Sequence, residues 1–181
     1  MFSSSDVAPA CVNLKHREVA MQGRDSALKI YVDGAFKDGK ISGAVYIPST
    51  REEYYFCLED EQLAKHRNVS GELIATALAI NLALERSIKH VVIYHDYEGI
   101  QKWVTGEWKA RTELTRAYRD FCIEAQKSMR IDFVKVVAHG NDKSNDYVDK
   151  LAKRALQECV CHPTSKTFRM IHKSLQLLRK F

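Results

Sequence analysis

The chain has 181 residues, 45% hydrophobic and 28% charged, with 8 Gly and 3 Pro. That composition excludes collagen-like, low-complexity and mostly disordered classes and leaves one ordinary domain, or one domain with a short appendage, with length enough for a single core. The formal charge of +5 fits a polyanionic partner without demanding one, and all of it lies in the last 18 residues, where Lys166, Arg169, Lys173, Arg179 and Lys180 stand without an acid.

Residues 1 to 27 show no sustained periodicity and read as a flexible leader. Leu28 to Gly34 alternates and is rich in β-formers, Lys37-Asp38-Gly39-Lys40 is turn chemistry, and Ser42 to Ile47 and Glu52 to Leu58 follow as a second and third strand of an antiparallel meander. After a polar loop from Glu59 to Asn68, the apolar residues Leu73, Ile74, Ala77, Ile80, Leu82 and Leu84 predict a buried helix from about Ser70 to Arg86, with Ser70 as its N-cap. His90 to His95 is a short apolar strand of the buried, parallel kind. A helix near Tyr97 to Val104 ends before Gly106, and a longer one runs from about Thr112 to Met129 with Leu114, Tyr118, Phe121, Cys122 and Ala125 on one face. Ile131 to Val137 is the fifth strand and Asn145 to Leu156 a further helix. The order predicts an α/β layer fold: a five-stranded mixed sheet, three antiparallel strands and then parallel ones, the first strand central and the sheet flanked by helices.

Five cysteines, an odd number, and a beginning without a signal-peptide core point to a reducing, intracellular and cytoplasmic setting. No apolar run approaches the ~20 residues of a membrane span. Cys159, Cys161 and His162 crowd three ligand types into four residues with no matching second pair, a weak zinc signal.

In such sheets ligands gather beyond the carboxyl ends of parallel strands. Asp33 is expected to end the first strand and Asp96 follows the fourth, Glu72 lies in the first turn of the helix crossing the sheet, and Asp149 sits early in the helix after the fifth strand. Each acid alone has an ordinary reading as a dipole partner or cap. Four at one sheet edge repel one another unless cations neutralise them, and hard oxygen ligands without His or Cys point to Mg²⁺, with Mn²⁺ the alternative. Two ions about 3.5 to 4 Å apart would clamp the attacking and leaving oxygens of a phosphodiester.

The segments Tyr31-Val32-Asp33-Gly34, Ser70-Gly71-Glu72-Leu73, Tyr94-His95-Asp96-Tyr97-Glu98-Gly99, and Ala138-His139-Gly140 followed by Asp149 ten residues after the histidine occur in this order. In this they resemble type 1 ribonuclease H over roughly Leu28 to Leu156. Asp-Tyr-Glu-Gly-Ile and Gly-Glu-Trp-Lys are similar to the bacterial branch associated with viroplasmin-type, hybrid-binding modules, here without such a module. The resemblance implies a ribonuclease H-like fold with residues 28–157 as the catalytic domain, and hydrolysis of the RNA strand of an RNA–DNA hybrid to 5′-phosphate and 3′-hydroxyl ends. It implies Asp33, Glu72, Asp96 and Asp149 as ligands of two Mg²⁺ ions. His139 would assist proton transfer or product release, and Gly34, Asn68, Gly71 and Asn145 would contact substrate or shape the site. Trp108 is a candidate ledge for the DNA strand, with Trp103 read as either ledge or core. The hybrid is the expected partner of a monomeric protein.

The chain departs from relatives in two ways. The stretch from Trp103 to Thr112 is too short for their lysine- and tryptophan-rich protrusion, and Ala35 replaces the usual Ser or Thr after Asp-Gly. Residues 158–181 read as a basic tail in which Phe168, Ile171, Leu175 and Leu178 recur at helical spacing opposite Arg169, Lys173, Gln176 and Lys180. This tail either docks on its own domain, grips nucleic-acid phosphates in place of the missing protrusion, or docks a protein partner or a membrane surface. The competing functions are another nuclease of the same superfamily and a catalytically silent nucleic-acid-binding module.

Overall fold

The computed structural model describes residues 26–137 and 141–158, together with Lys173 and Gln176. The leader, the Cys159, Cys161 and His162 cluster, His139 and nearly all of the tail lie outside the described residues.

Strands β1 (Leu28–Lys37), β2 (Lys40–Ile47) and β3 (Glu52–Glu59) form the expected meander. Asp38 and Gly39, with φ of 50° and 79°, supply the two left-handed positions that a two-residue hairpin turn matched to strand twist requires. Polar residues 60–67, expected as loop, instead hold a short helix, α1 (Glu61–Ala64), nucleated by Asp60, whose carboxylate accepts from the Gln62 and Leu63 amides at 3.0 Å.

Helix α2 (Asn68–Glu85) starts two residues earlier than predicted. Ser70 is not its N-cap but lies inside the first turn, and its hydroxyl donates to the Leu63 carbonyl, tying α2 to α1. The helix is buried on nearly every side from Ser70 to Ala83, wedged between the sheet and α4 (Glu113–Gln126). β4 (His90–His95), α3 (Gly99–Thr105), α4, β5 (Arg130–Lys135) and α5 (Lys143–Glu158) complete the chain in the order read from its periodicity. Gly106, at φ 81°, closes α3 in the left-handed conformation, and Thr112 and Thr115 form a reciprocal capping box at the start of α4.

The sheet order is β3-β2-β1-β4-β5, with β1 central and β4 and β5 parallel to it. One face packs Ile30, Val32, Val45, Phe56 and Ile93 against α2 and α4, where Leu114, Tyr118, Phe121, Cys122 and Ala125 are all buried. The other packs Tyr31 and Ala44 against Val148, Leu151 and Ala152 of α5. Among the described residues no helix is long and apolar enough to cross a membrane. Lys173 and Gln176 are helical and exposed, and the Lys173 ammonium lies 3.5 Å from Glu85 at the end of α2.

Candidate metal centre

The parallel register of β1 and β4 sets the first two acids. Their last paired residues are Tyr31 and Tyr94, whose rings stack with centroids 4.5 Å apart. Two residues further along from each stand Asp33, still within β1, and Asp96, the first residue past β4. The sequence reading expected Asp33 to end its strand, but it does not. The parallel pairing stops at Tyr31, while β1 continues to Lys37 because residues through the hairpin stay paired with β2.

Glu72 arrives from α2, and three glycines permit the approach. A Cβ on Gly71 would stand 1.9 Å from the Ser42 carbonyl oxygen. One on Gly34 would stand 2.4 Å from the Glu72 amide nitrogen and 2.5 Å from the Asn68 carbonyl oxygen, and one on Gly43, the partner of Gly34 across the hairpin, 2.5 Å from the Gly71 carbonyl oxygen. The first turn of α2 therefore lies with its backbone directly on β1 and β2. The space left open at Gly34 is filled by the protein's own helix, and Gly71 is buried, so both glycines have a packing task. From this position Glu72 reaches the end of β4, where its carboxylate accepts from the Tyr97 amide at 3.4 Å.

One carboxylate oxygen from each of Asp33, Glu72 and Asp96 lies within 4.8 Å of the other two. Asp33 and Glu72 are almost inaccessible to solvent. Burial, then the neighbouring Asp96 charge, pushes Asp33 up to about 8, partly opposed by the Gly34 amide donating to it at 2.7 Å. Burial, then the charge of Asp33, raises Glu72 well above the ordinary carboxylate range. Three hard oxygen donors converging where their own charges repel are the donor set a divalent cation such as Mg²⁺ requires.

Asp149 lies beside this trio rather than within it. It faces Asp33 closely enough to raise its pKa by charge and by hydrogen bonding, and its own carboxylate is held by Lys153 at 2.8 Å, one helical turn on. The beginning of α5 is lashed to β1 by Asp142, which accepts from the Tyr31 hydroxyl at 3.1 Å and from the Ser144 and Asn145 amides at 2.9 and 3.2 Å. Sequence reading missed this link, although an Asp preceding a helical repeat is a cap signal. It also missed Gly43, whose role exists only once the hairpin register is known.

Of the candidate substrate contacts, Asn68 is exposed at the first position of α2, one turn before Glu72, and Asn145 is buried. Trp108, 37% exposed, packs edge-on against Tyr97 and Trp103, with the Lys102 ammonium 5.2 Å from its ring centre. Trp103 is half-buried against the core. His95, next to Asp96, is fully buried, and burial lowers its imidazole to about 4, so the ring is neutral.

The RNase H family model matches residues 25–157. The fold is similar to that of RNase H1 from the archaeon Halobacterium salinarum NRC-1, at 18% identity and a TM-score of 0.58, with 74% of this chain and 99% of that one covered. It is also similar to the N-terminal RNase H domain of Rv2228c from Mycobacterium tuberculosis, at 14% identity and a TM-score of 0.56, with 74% and 96% covered. LC11-RNase H1, solved in complex with an RNA/DNA hybrid, gives 15% identity and a TM-score of 0.56, with 72% and 97% covered. A search of curated protein sequences returned no match. With the family model covering the whole sheet and the acidic trio, the chain belongs to the RNase H family and is a ribonuclease H-type nuclease.

Proposed function

We propose that this chain hydrolyses the RNA strand of RNA–DNA hybrids with two divalent ions, leaving 5′-phosphate and 3′-hydroxyl ends. The observation that carries this reading is the convergence of Asp33, Glu72 and Asp96 within 4.8 Å beyond the paired ends of β1 and β4. These three would hold Mg²⁺ or Mn²⁺, with Asp149 beside Asp33 as the fourth ligand. When bound, such ions supply Lewis acidity that makes water nucleophilic at neutral pH and offsets charge on the leaving 3′ oxygen.

The chain's other residues supply orientation and proton handling. Asn68 shares a helix face with Glu72 at a spacing of four residues, so its amide is positioned for 2′-hydroxyl contacts that separate RNA from DNA. Asn145 supports the turn of α5 that leads to Asp149, and His139 moves a proton or releases product, as the resemblance implies. Trp108, backed by two aromatic rings and flanked by Lys102, offers a stacking face beside a cation, which suits the DNA strand. The hybrid-bound state of LC11-RNase H1, which this chain matches over 97% of that chain's length, supports the same substrate class.

A panel of end-labelled RNA–DNA hybrid, double-stranded DNA and double-stranded RNA, each with Mg²⁺ or EDTA, tests the proposal. The expected result is cutting of the RNA strand of the hybrid alone, abolished by EDTA. Cutting of double-stranded DNA would favour another nuclease of the superfamily. Hybrid binding without cleavage in Mg²⁺ would favour a silent binding module.

A further inference from the structure

Among the described residues, His95 Nε2 is the one buried side-chain nitrogen or oxygen without a hydrogen-bond partner. The ring is fully buried at the end of β4, with the edge of Phe133 as its aromatic neighbour at 6.1 Å between centroids. A bare acceptor in such surroundings is destabilising, and an apolar side chain at this position would avoid that cost. The compensating contact is on the other ring nitrogen. Nδ1 lies 3.0 Å from the Tyr97 carbonyl oxygen. A carbonyl only accepts, so Nδ1 carries the proton and Nε2 is left as the lone pair.

That bond bridges the residue between them, Asp96. The Tyr97 carbonyl also accepts from the Ile100 amide at 3.1 Å, where α3 begins, while the amide of the same Tyr97 donates to Glu72. The two bonds use the two peptide units that meet at the Tyr97 Cα, so holding residue Tyr97 bears on two carboxylates together: Asp96 by its place inside the bridged turn, and Glu72 through the amide it accepts from. We infer that His95 is a positioning residue, which in its Nδ1-protonated form clamps the β4–α3 turn so that Asp96 and Glu72 are presented together to a divalent cation. It touches neither ion nor substrate. The inference rests on the proposed metal site, because its consequence is read as cation affinity.

The test uses the full chain without nucleic acid. Mn²⁺ binding is measured by the loss of the free-ion paramagnetic resonance signal, and thermal melting is followed in EDTA. His95→Leu removes both ring nitrogens, whereas His95→Asn keeps a donor where Nδ1 stands. The expected result is an approximately tenfold or greater loss of Mn²⁺ affinity in His95→Leu, the size typical of a lost outer-sphere partner, with melting in EDTA equal to or above the parent. His95→Asn should restore affinity to within about twofold of the parent. Nitrogen-15 spectra of the parent's histidines should show His95 protonated at Nδ1. Parent-like Mn²⁺ affinity in His95→Leu, a failure of His95→Asn to rescue, a melting temperature for His95→Leu well below the parent's, or an Nε2-protonated ring would each overturn the inference. If the parent itself bound no Mn²⁺, the metal site would be the reading that failed, and the two failures are thereby separate.

Discussion

Asp33 and Glu72 are carboxyl groups packed almost out of reach of water and within sight of a third acid, an arrangement that favours their protonated forms in the folded protein. For Asp33, raised to about 8 on folding, the neutral form stabilises the fold. That contribution is complete below the ordinary carboxylate range near pH 4 and drains away as pH rises toward 8. Asn cannot ionise, so in EDTA Asp33→Asn should melt above the parent, with a gap that widens between pH 4 and pH 8. Adding Mg²⁺ at pH 8 should raise the parent's melting temperature and leave the variant's almost unchanged. Equal melting of the two proteins at pH 8 in EDTA would show that the trio carries no stored repulsion. The identity of these residues was legible in the sequence because each acid sits at a fixed offset from a strand or helix with a strong periodic signal. The electrostatic distinction between Asp33, Glu72 and Asp96 as a close trio and Asp149 as a flanking group was not legible, because it depends on side-chain reach across three elements.

At the scale of elements, the site depends on the first turn of α2 lying with its backbone against the β1–β2 hairpin. Gly71 is the narrowest point, since any side chain there meets a backbone carbonyl of β2. Gly71→Ala is expected to destabilise the protein by about 1–3 kcal/mol and to lower hybrid cleavage by moving Glu72. A denaturant melt and a cleavage rate unchanged from the parent would contradict this account of the contact. The order of elements, the meander of β1 to β3, the central place of β1 and the buried face of α4 were legible in the sequence. Boundaries did not. Ser70 has the chemistry of an N-cap, but its hydroxyl is taken by Leu63 of α1, and α1 itself hid in a polar segment because its only strong signal is the cap Asp60. Asp33 reads as the end of a strand in the sequence, yet β1 runs on through Gly34, which extends the hairpin and is a glycine for the sake of α2.

For the molecule as a whole, the charge of +5 is a poor guide and its distribution a better one: residues 1–163 are formally neutral, with three acids gathered at the candidate metal centre, and the final 18 residues hold the entire excess. A chain truncated after Pro163 should bind hybrid more weakly and with a shallower dependence on salt, because fewer phosphate contacts release fewer counterions. Affinity and salt slope equal to the full chain's would remove the tail from substrate binding. The central claim, that the carboxylates gathered past the paired ends of β1 and β4 serve cleavage of RNA in a hybrid by holding divalent cations, is tested most directly at Asp96. Asp96→Asn keeps the shape of the side chain and removes one charged ligand oxygen, so the initial rate of hybrid cleavage in saturating Mg²⁺ should fall by at least about a hundredfold while melting in EDTA is retained. A variant that cleaves the hybrid at the parent's rate would contradict the account.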